Sequence, residues 1–225
     1  MKLVIFDCDG TLVDSQHAIV AAVDHAFSSL GLAPPTRAQA LSVVGLSLPE
    51  AFRVLAGQHP ASVQRELVEL YRSGVPRIRE AQRTAEPLYP GVREVIETLK
   101  SGDTLLGIAT GKSKRGVARL FDREGWHGHF LTIQTADDHP SKPHPSMILK
   151  AMAETGAAPE DTIMVGDTSF DMEMALSARV GALGVAWGYH TVAQLTAAGA
   201  HRVVHEGAAL LSAIETHFTP REAPA

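Results

Sequence analysis

The chain has 225 residues, 45% hydrophobic and 20% charged, an ordinary globular composition that can bury its own core in one large or two small domains. A formal net charge of -5 without any block of like charges argues against a nucleic-acid surface or a patch for anionic membranes. The single cysteine, Cys8, excludes an internal disulfide, and no apolar run near the N-terminus is long enough for a signal peptide or membrane span. We therefore expect a cytoplasmic protein whose partners are small molecules.

Short, continuous apolar runs recur along the chain, bounded by Gly, Asp or Pro and separated by stretches with helical periodicity. The runs are LVIF (3–6), TLLGIAT (104–110), FLTIQT (130–135), DTIMVGD (161–167) and ALGVAWG (182–188), with HRVV (201–204) as a candidate sixth. Continuous runs are typical of strands covered on both faces. Their alternation with helices predicts an α/β fold with a parallel, doubly wound sheet.

One interval, residues 15–87, breaks this alternation, because it contains helical patterns and no convincing strand. We predict that it is a helical module inserted after the first strand, with the remaining core formed by residues 1–14 and 88–219 and a frayed tail at 220–225. Inside the insert, Ser47 and Glu50 have the spacing of a capping box, which predicts a helix start. A loop of the insert that contacts substrate is the alternative interpretation.

Acidic residues follow two of the predicted strands. Asp7 and Asp9 follow the first strand, and Asp167 and Asp171 follow the fourth. Open parallel sheets bind ligands at the carboxyl ends of their strands, and clustered carboxylates there would repel one another unless a cation lay among them. A hard divalent ion such as Mg2+ prefers oxygen ligands of this kind. The alternative for either motif alone is an Asp that caps a helix or starts a turn.

Groups that could bind phosphate follow the second and third strands. Thr110 and Gly111 end the second run, where backbone amides at a helix N-terminus would form an anion site, and Lys142 adds a positive charge. Taken alone, Lys142 is better explained as a solvated loop lysine than as a phosphate ligand. The TGKS sequence is not a P-loop, because the glycine required five residues before Gly111 is replaced by Leu106. Cys8 lies between two acids that disfavour a thiolate, so we expect it to be inert.

In combination, these motifs resemble the haloacid dehalogenase superfamily of phosphotransferases. The resemblance rests on DCDGT (7–11), Thr110, Lys142 before Pro143, and GDTSFD (166–171), in that order, and it covers essentially the whole chain. It implies a Rossmann-like core in which the insert is a cap over the active site. It also implies that Asp7 is the nucleophile that becomes an aspartyl phosphate and that Asp9 is the general acid/base.

The resemblance extends to the remaining site residues. It implies that Thr110 and Lys142 bind the phosphoryl oxygens, and that Asp7, Asp167 and the backbone carbonyl of Asp9 ligate Mg2+. Asp171 would then support the metal or pair with Lys142. An Asp at position 9 favours phosphoryl transfer over dehalogenation.

The sequence specifies the substrate less closely than it specifies the type of reaction. The segments FDCDGTLVDS, YPGV, VGDTSFDMEMA and VAWGY resemble the phosphoglycolate phosphatase branch. That branch shares most of these residues with 5'-nucleotidases, sugar phosphatases, pyrophosphatases and beta-phosphoglucomutases, so a mutase that isomerises a phosphosugar remains the main alternative to a phosphatase. Leu46, Ser47 and Leu48 of the insert offer too little chemistry to name a substrate beyond a small phosphomonoester.

Overall fold

The computed structural model describes residues 1–82 and 86–219, and within them six parallel strands form one sheet. The strands are β1 (Lys2–Phe6), β2 (Thr104–Thr110), β3 (Thr132–Thr135), β4 (Thr162–Gly166), β5 (Gly181–Val185) and β6 (Arg202–Val204). Their order across the sheet is β3-β2-β1-β4-β5-β6, so the first strand lies in the middle. The predicted α/β fold with a doubly wound parallel sheet is confirmed.

Helices cover both faces of the sheet, and for this reason the central strand β1 is buried on both faces from Leu3 to Phe6. Val4 and Phe6 of β1 pack into one hydrophobic cluster, whereas Leu3 and Ile5 pack into another on the opposite face. The first cluster includes residues of α5 (Val92–Ser101), α6 (Lys114–Glu124) and α10 (Leu210–His217). The second includes residues of α7 (Ser146–Thr155), α8 (Ser169–Ala178) and α9 (Val192–Ala197).

Between β1 and α5, the described residues form four helices. They are α1 (Gln16–Ser29), α2 (Arg37–Ser42), α3 (Leu48–Leu55) and α4 (Ala61–Gln82). They have a hydrophobic core of their own, in which the rings of Phe27 and Phe52 stack with centroids 6.2 Å apart and Leu67 is fully buried. We call this four-helix unit the cap. None of the helices in the described residues combines the length and apolarity needed to cross a membrane.

The chain enters and leaves the cap at adjacent points. Asp14 donates its backbone N–H to the Pro87 carbonyl at 2.8 Å, and Tyr89 donates to the Leu12 carbonyl at 3.0 Å. The predicted junctions at 14/15 and 87/88 fall in this pair of segments, although the domain bounds themselves stay a prediction. The predicted tail, residues 220–225, lies outside the described residues.

Two local predictions were wrong in detail. The runs at 130–135 and 182–188 overshoot their strands, because β3 begins at Thr132 and β5 ends at Val185. The predicted helix start is correct, since α3 begins at Leu48 directly after Ser47, but the capping box does not form: Ser47 has no side-chain cap, and Glu50 pairs with Arg53 at 2.7 Å instead. The backbone N–H of Ser47 donates to Ser141 Oγ of the core at 2.8 Å, so this helix start is also a contact between cap and core.

Candidate active site

The strand order brings the motif residues to one edge of the sheet. Phe6, the last residue of β1, pairs with Ile108 of β2 on one side and Val165 of β4 on the other. Since all three strands are parallel, the residues that follow them emerge together. Asp7, Thr110 and Asp167, which are far apart in sequence, therefore share one site.

Lys142 lies between two carboxylates in the floor of this site. Its Nζ donates to Asp7 Oδ1 at 2.8 Å and to Asp171 Oδ1 at 2.7 Å, and all three side chains are almost fully buried. Burial lowers the pKa of Lys142, but Asp171 and Asp7 more than offset this and raise it overall. Burial raises the pKa of Asp7 to about 6, although the charge of Lys142 opposes the rise. Lys142 is therefore a fixed buried cation rather than a solvated loop lysine.

Asp171 is held at the start of α8. Its Oδ2 accepts hydrogen bonds from the backbone N–H of Thr168 at 3.1 Å and from Thr168 Oγ1 at 2.7 Å, which completes a capping box. Its other oxygen accepts from Lys142. Pairing with Lys142, one of the two roles expected for Asp171, is present in this structure.

Asp167 is positioned by two donors from distant segments. Thr11 Oγ1 donates to its Oδ1, and the backbone N–H of Tyr189 donates to its Oδ2, both at 2.8 Å. Burial, together with the nearby charges of Asp171 and Asp7, raises the pKa of Asp167 well above its ordinary value. Keeping this carboxylate ionised without a cation is therefore unfavourable.

The three buried acids form a candidate metal centre. Asp7, Asp167 and Asp171 each offer a carboxylate oxygen, and these atoms lie within 4.8 Å of one another. Asp7 Oδ2 is buried and has no hydrogen-bond partner among the described residues. Three carboxylates and one ammonium, Lys142, leave two negative charges when all are ionised, which a divalent cation would balance. The donor set and the unpartnered oxygen fit a hard ion such as Mg2+.

Glycines allow the backbone to approach Asp167 closely. Gly10 has φ +91°, and a Cβ added there would lie 2.2 Å from Asp167 Oδ2. A Cβ on Gly188 would also lie 2.2 Å from Asp167. Both positions therefore require glycine for the carboxylate to occupy its site.

Asp9 pairs with a different set of groups from the three buried acids. Its Oδ1 accepts from Lys112 Nζ at 2.5 Å and from Ser15 Oγ at 2.5 Å, and Ser15 Oγ lies 3.2 Å from the Tyr189 hydroxyl. Burial lowers the pKa of Lys112, but the charges of Asp9 and Glu86, together with the hydrogen bond to Asp9, raise it overall. A cation at Lys112 and a hydroxyl donor thus stabilise the ionised carboxylate of Asp9.

The second motif lies beneath the cap. Thr110 is buried, and its Oγ1 accepts the backbone N–H of Lys112 at 3.2 Å. A Cβ on Gly111 would come within 2.8 Å of the carbonyl oxygens of Gly45 and Leu46 in the α2–α3 loop. Gly111 therefore permits the cap to lie directly on the end of β2.

Cys8 is fully buried, and its chemistry matches the expectation of an inert thiol. Burial is the largest cause that raises the pKa of this thiol, followed by the charge of Asp7. The sequence argument invoked only the neighbouring acids, whereas desolvation contributes more.

Several site residues escaped the sequence reasoning: Thr11, Ser15, Lys112 and Tyr189. Thr11 and Lys112 lie inside the first and second motifs, within two residues of Asp9 and Gly111. Tyr189 lies in a loop 22 residues beyond Asp167, and no spacing rule links the two.

Comparison with known proteins shows which family the chain belongs to. The family described as haloacid dehalogenase-like hydrolase matches residues 4–185, which is most of the chain and includes Asp7, Thr110, Lys142 and Asp167. The chain belongs to this family.

Three proteins that are similar in sequence to this haloacid dehalogenase-like chain carry functional names. The probable phosphatase IndB of Dickeya dadantii is 37% identical over 87% of this chain and 86% of its own length. The phosphoglycolate phosphatase of Agrobacterium fabrum is 31% identical over 84% and 82%. The tyrosine-protein kinase PtkA of Mycobacterium tuberculosis is 30% identical over 84% of this chain and 63% of its own length.

A solved structure agrees with the family assignment. A hydrolase from Pseudomonas syringae is 26% identical and superposes with a TM-score of 0.83 over 96% of this chain and 99% of its own. The predicted resemblance to the haloacid dehalogenase-like family, and the prediction of a phosphatase, are confirmed by the family match and the phosphatase-named relatives.

Proposed function

We propose that the protein hydrolyses a small phosphomonoester in a Mg2+-dependent reaction that passes through an aspartyl phosphate on Asp7. The observation that carries this proposal is the buried, unpartnered Oδ2 of Asp7, next to the buried cation of Lys142. A carboxylate in that position has an unused lone pair and a neighbouring positive charge, which are what attack on a phosphoryl group requires.

The proposed reaction has two displacements. First, an Asp7 oxygen attacks phosphorus, the bond from phosphorus to the ester oxygen breaks, and Asp9 gives its proton to the departing alkoxide. Asp9 then takes a proton from water, whose oxygen attacks phosphorus and releases Asp7 and inorganic phosphate. Each proton transfer by a positioned carboxyl group contributes about 10^2 to 10^4 in rate.

The remaining residues stabilise charge. Thr110, the Gly111 amide and Lys142 bind the phosphoryl oxygens, and Asp171 keeps Lys142 in place through its 2.7 Å contact. Asp7, Asp167 and the backbone carbonyl of Asp9 would hold Mg2+. When bound, the ion supplies electrostatic stabilisation of the negative charge that gathers on the transferring phosphoryl group.

Lys112, which had no role in the sequence analysis, contributes to the proposed reaction through Asp9. Its 2.5 Å contact stabilises the ionised form of Asp9, which is the form that accepts a proton from water. The first displacement needs the protonated form instead. We therefore propose that the Lys112–Asp9 pair loosens when substrate enters and forms again for the hydrolytic step.

The test is phosphate release from a panel that includes 2-phosphoglycolate, the substrate named for relatives about 31% identical, and p-nitrophenyl phosphate, with Mg2+ and with EDTA. Mg2+-dependent release that disappears in Asp7→Asn, but persists in the exposed control Asp103→Asn, is the expected result. Retained turnover in Asp7→Asn would remove the nucleophile assignment. Conversion of a sugar 1-phosphate to its 6-phosphate without phosphate release would favour the mutase alternative.

A further inference from the structure

A cavity of about 340 Å³ joins the catalytic carboxylates to the interior of the cap. Asp7, Asp9 and Thr110 line its core end. The opposite end lies among the cap helices and is mainly apolar. Its walls there include Ile19, Val23, Phe52, Leu55, Tyr71 and Val75. A phosphoryl group at Asp7 would thus have an apolar chamber on its leaving-group side.

The chamber is present while the cap rests on the core. Ser47 N–H donates to Ser141 Oγ at 2.8 Å, and His190, on the core side, contacts the Ser42 carbonyl through Nε2 at 3.2 Å. The α2–α3 loop also lies against Gly111. The volume is therefore not simply the gap left by a cap that stands away from the sheet.

From this shape we infer that the enzyme selects phosphomonoesters whose leaving group is an extended apolar chain or ring that fills the cap chamber. The inference rests on the proposed phosphatase function and specifies its substrate class. A volume of about 340 Å³ is within the range of small-molecule pockets, and the two-carbon group of 2-phosphoglycolate would leave most of it unfilled. Apolar walls favour an apolar occupant, because each methylene that moves from water to such a surface gains transfer free energy.

Arginines also line the cavity, and they define the competing possibility. They are Arg115 and Arg119 of α6 in the core and Arg72 of α4 in the cap, which pairs with Glu69 at 2.8 Å. If these arginines determined selectivity, small acidic esters such as 2-phosphoglycolate would be the better substrates. The experiment must therefore separate apolar length from acidity.

The first measurement is kcat/KM for methyl, butyl, hexyl and octyl phosphate and for 2-phosphoglycolate, with Mg2+ present. The alkyl series keeps the chemistry of the ester oxygen nearly constant, so that differences report on binding of the chain. We expect kcat/KM to rise by up to about fourfold per methylene until the chamber is full. A flat or falling series, or 2-phosphoglycolate as the best substrate, would overturn the inference while the proposed phosphatase function stood. If no ester released phosphate, p-nitrophenyl phosphate included, the proposed function itself would be refuted.

Variants locate the effect within the cap. Leu55→Phe and Val75→Phe add volume to the chamber, so the octyl-to-methyl ratio of kcat/KM should fall by tenfold or more in each. Val54→Phe is the matched control, because Val54 is the neighbour of Leu55 in α3, is 54% exposed and does not line the chamber. Its ratio should equal that of the unmodified enzyme. An unchanged ratio in both filling variants would show that the chain binds elsewhere and would refute the assignment.

Discussion

Replacing Lys142 with methionine tests the energetics of the buried site directly. Methionine has nearly the same length and leaves little cavity, but it removes the cation between Asp7 and Asp171. The variant loses two charge-assisted hydrogen bonds, at 2.8 and 2.7 Å. At about 1.5–3 kcal/mol each, their loss costs about 3–6 kcal/mol.

An independent argument gives a similar magnitude. Removing one partner of a buried ion pair costs about 3–5 kcal/mol, because an uncompensated charge remains. For a chain of this size that corresponds to a decrease in Tm of about 6–20 °C. Since folded domains are stable by about 5–15 kcal/mol, the metal-free variant should be markedly destabilised but still able to fold.

The loss should depend on pH. The pKa of Asp7 is raised to about 6 even with Lys142 beside it, so removing the cation raises it further. Between the unfolded value of about 4 and this raised value, the native state binds more protons than the unfolded state. The free energy of unfolding of the variant therefore falls as pH rises through this window. The deficit relative to the unmodified protein should be largest at pH 8 and smaller at pH 5.

The assay is urea unfolding at pH 5 and pH 8 with EDTA present. Lys150→Met is the control, because Lys150 is 56% exposed and its 3.4 Å pair with Glu154 lies on the surface. That change should cost less than about 1 kcal/mol. A loss below about 1 kcal/mol for Lys142→Met, or an equal loss at both pH values, would refute the reasoning.

Three further predictions concern the metal centre and the buried thiol. Asp167→Asn removes a carboxylate whose pKa is raised by burial, while its amide oxygen can accept from the Tyr189 N–H and its amide nitrogen can donate to Thr11 Oγ1. The Tm without metal at pH 8 should rise, and the increase in Tm on adding MgCl2 should vanish; a persisting increase would contradict the ligand assignment. Gly10→Ala places a Cβ 2.2 Å from Asp167 and should abolish Mg2+ binding in a calorimetric titration. Gly125→Ala is the control, because Gly125 has a similar φ of +75° but open space around it. That change should destabilise the fold and leave Mg2+ binding intact. Burial raises the pKa of Cys8, so a disulfide reagent should modify it only after denaturation; labelling of the native enzyme at the rate of a free thiol would count against this.

Much of the fold and the position of the site could be predicted from local patterns. Continuous apolar runs predicted the strands, because a strand covered on both faces needs no polar alternation. Acids and hydroxyls directly after those runs predicted where the chemistry would lie, since the carboxyl ends of parallel strands share one edge of the sheet. Asp7, Thr110 and Asp167 could therefore be assigned to one site although they span 160 positions of the chain.

Contacts between distant segments could not be predicted in this way. The pairing of Lys112 with Asp9 and the hydrogen bond from Tyr189 to Asp167 join segments more than 20 residues apart, and no periodic signal marks either one. The failed capping box at Ser47 has the same origin, because the start of α3 is bound to Ser141 of the core.

The sequence by itself determined which polar side chains follow the strands and that they gather at one edge of the sheet, because strand periodicity and strand ends are local properties of the chain. Only the tertiary structure decided which charged side chains pair with each other. It placed β1 between β2 and β4, turned the carboxylate of Asp9 toward Lys112, and enclosed an apolar chamber beneath the cap. These features depend on the packing of elements against one another, and therefore on distances that spacing along a chain does not encode.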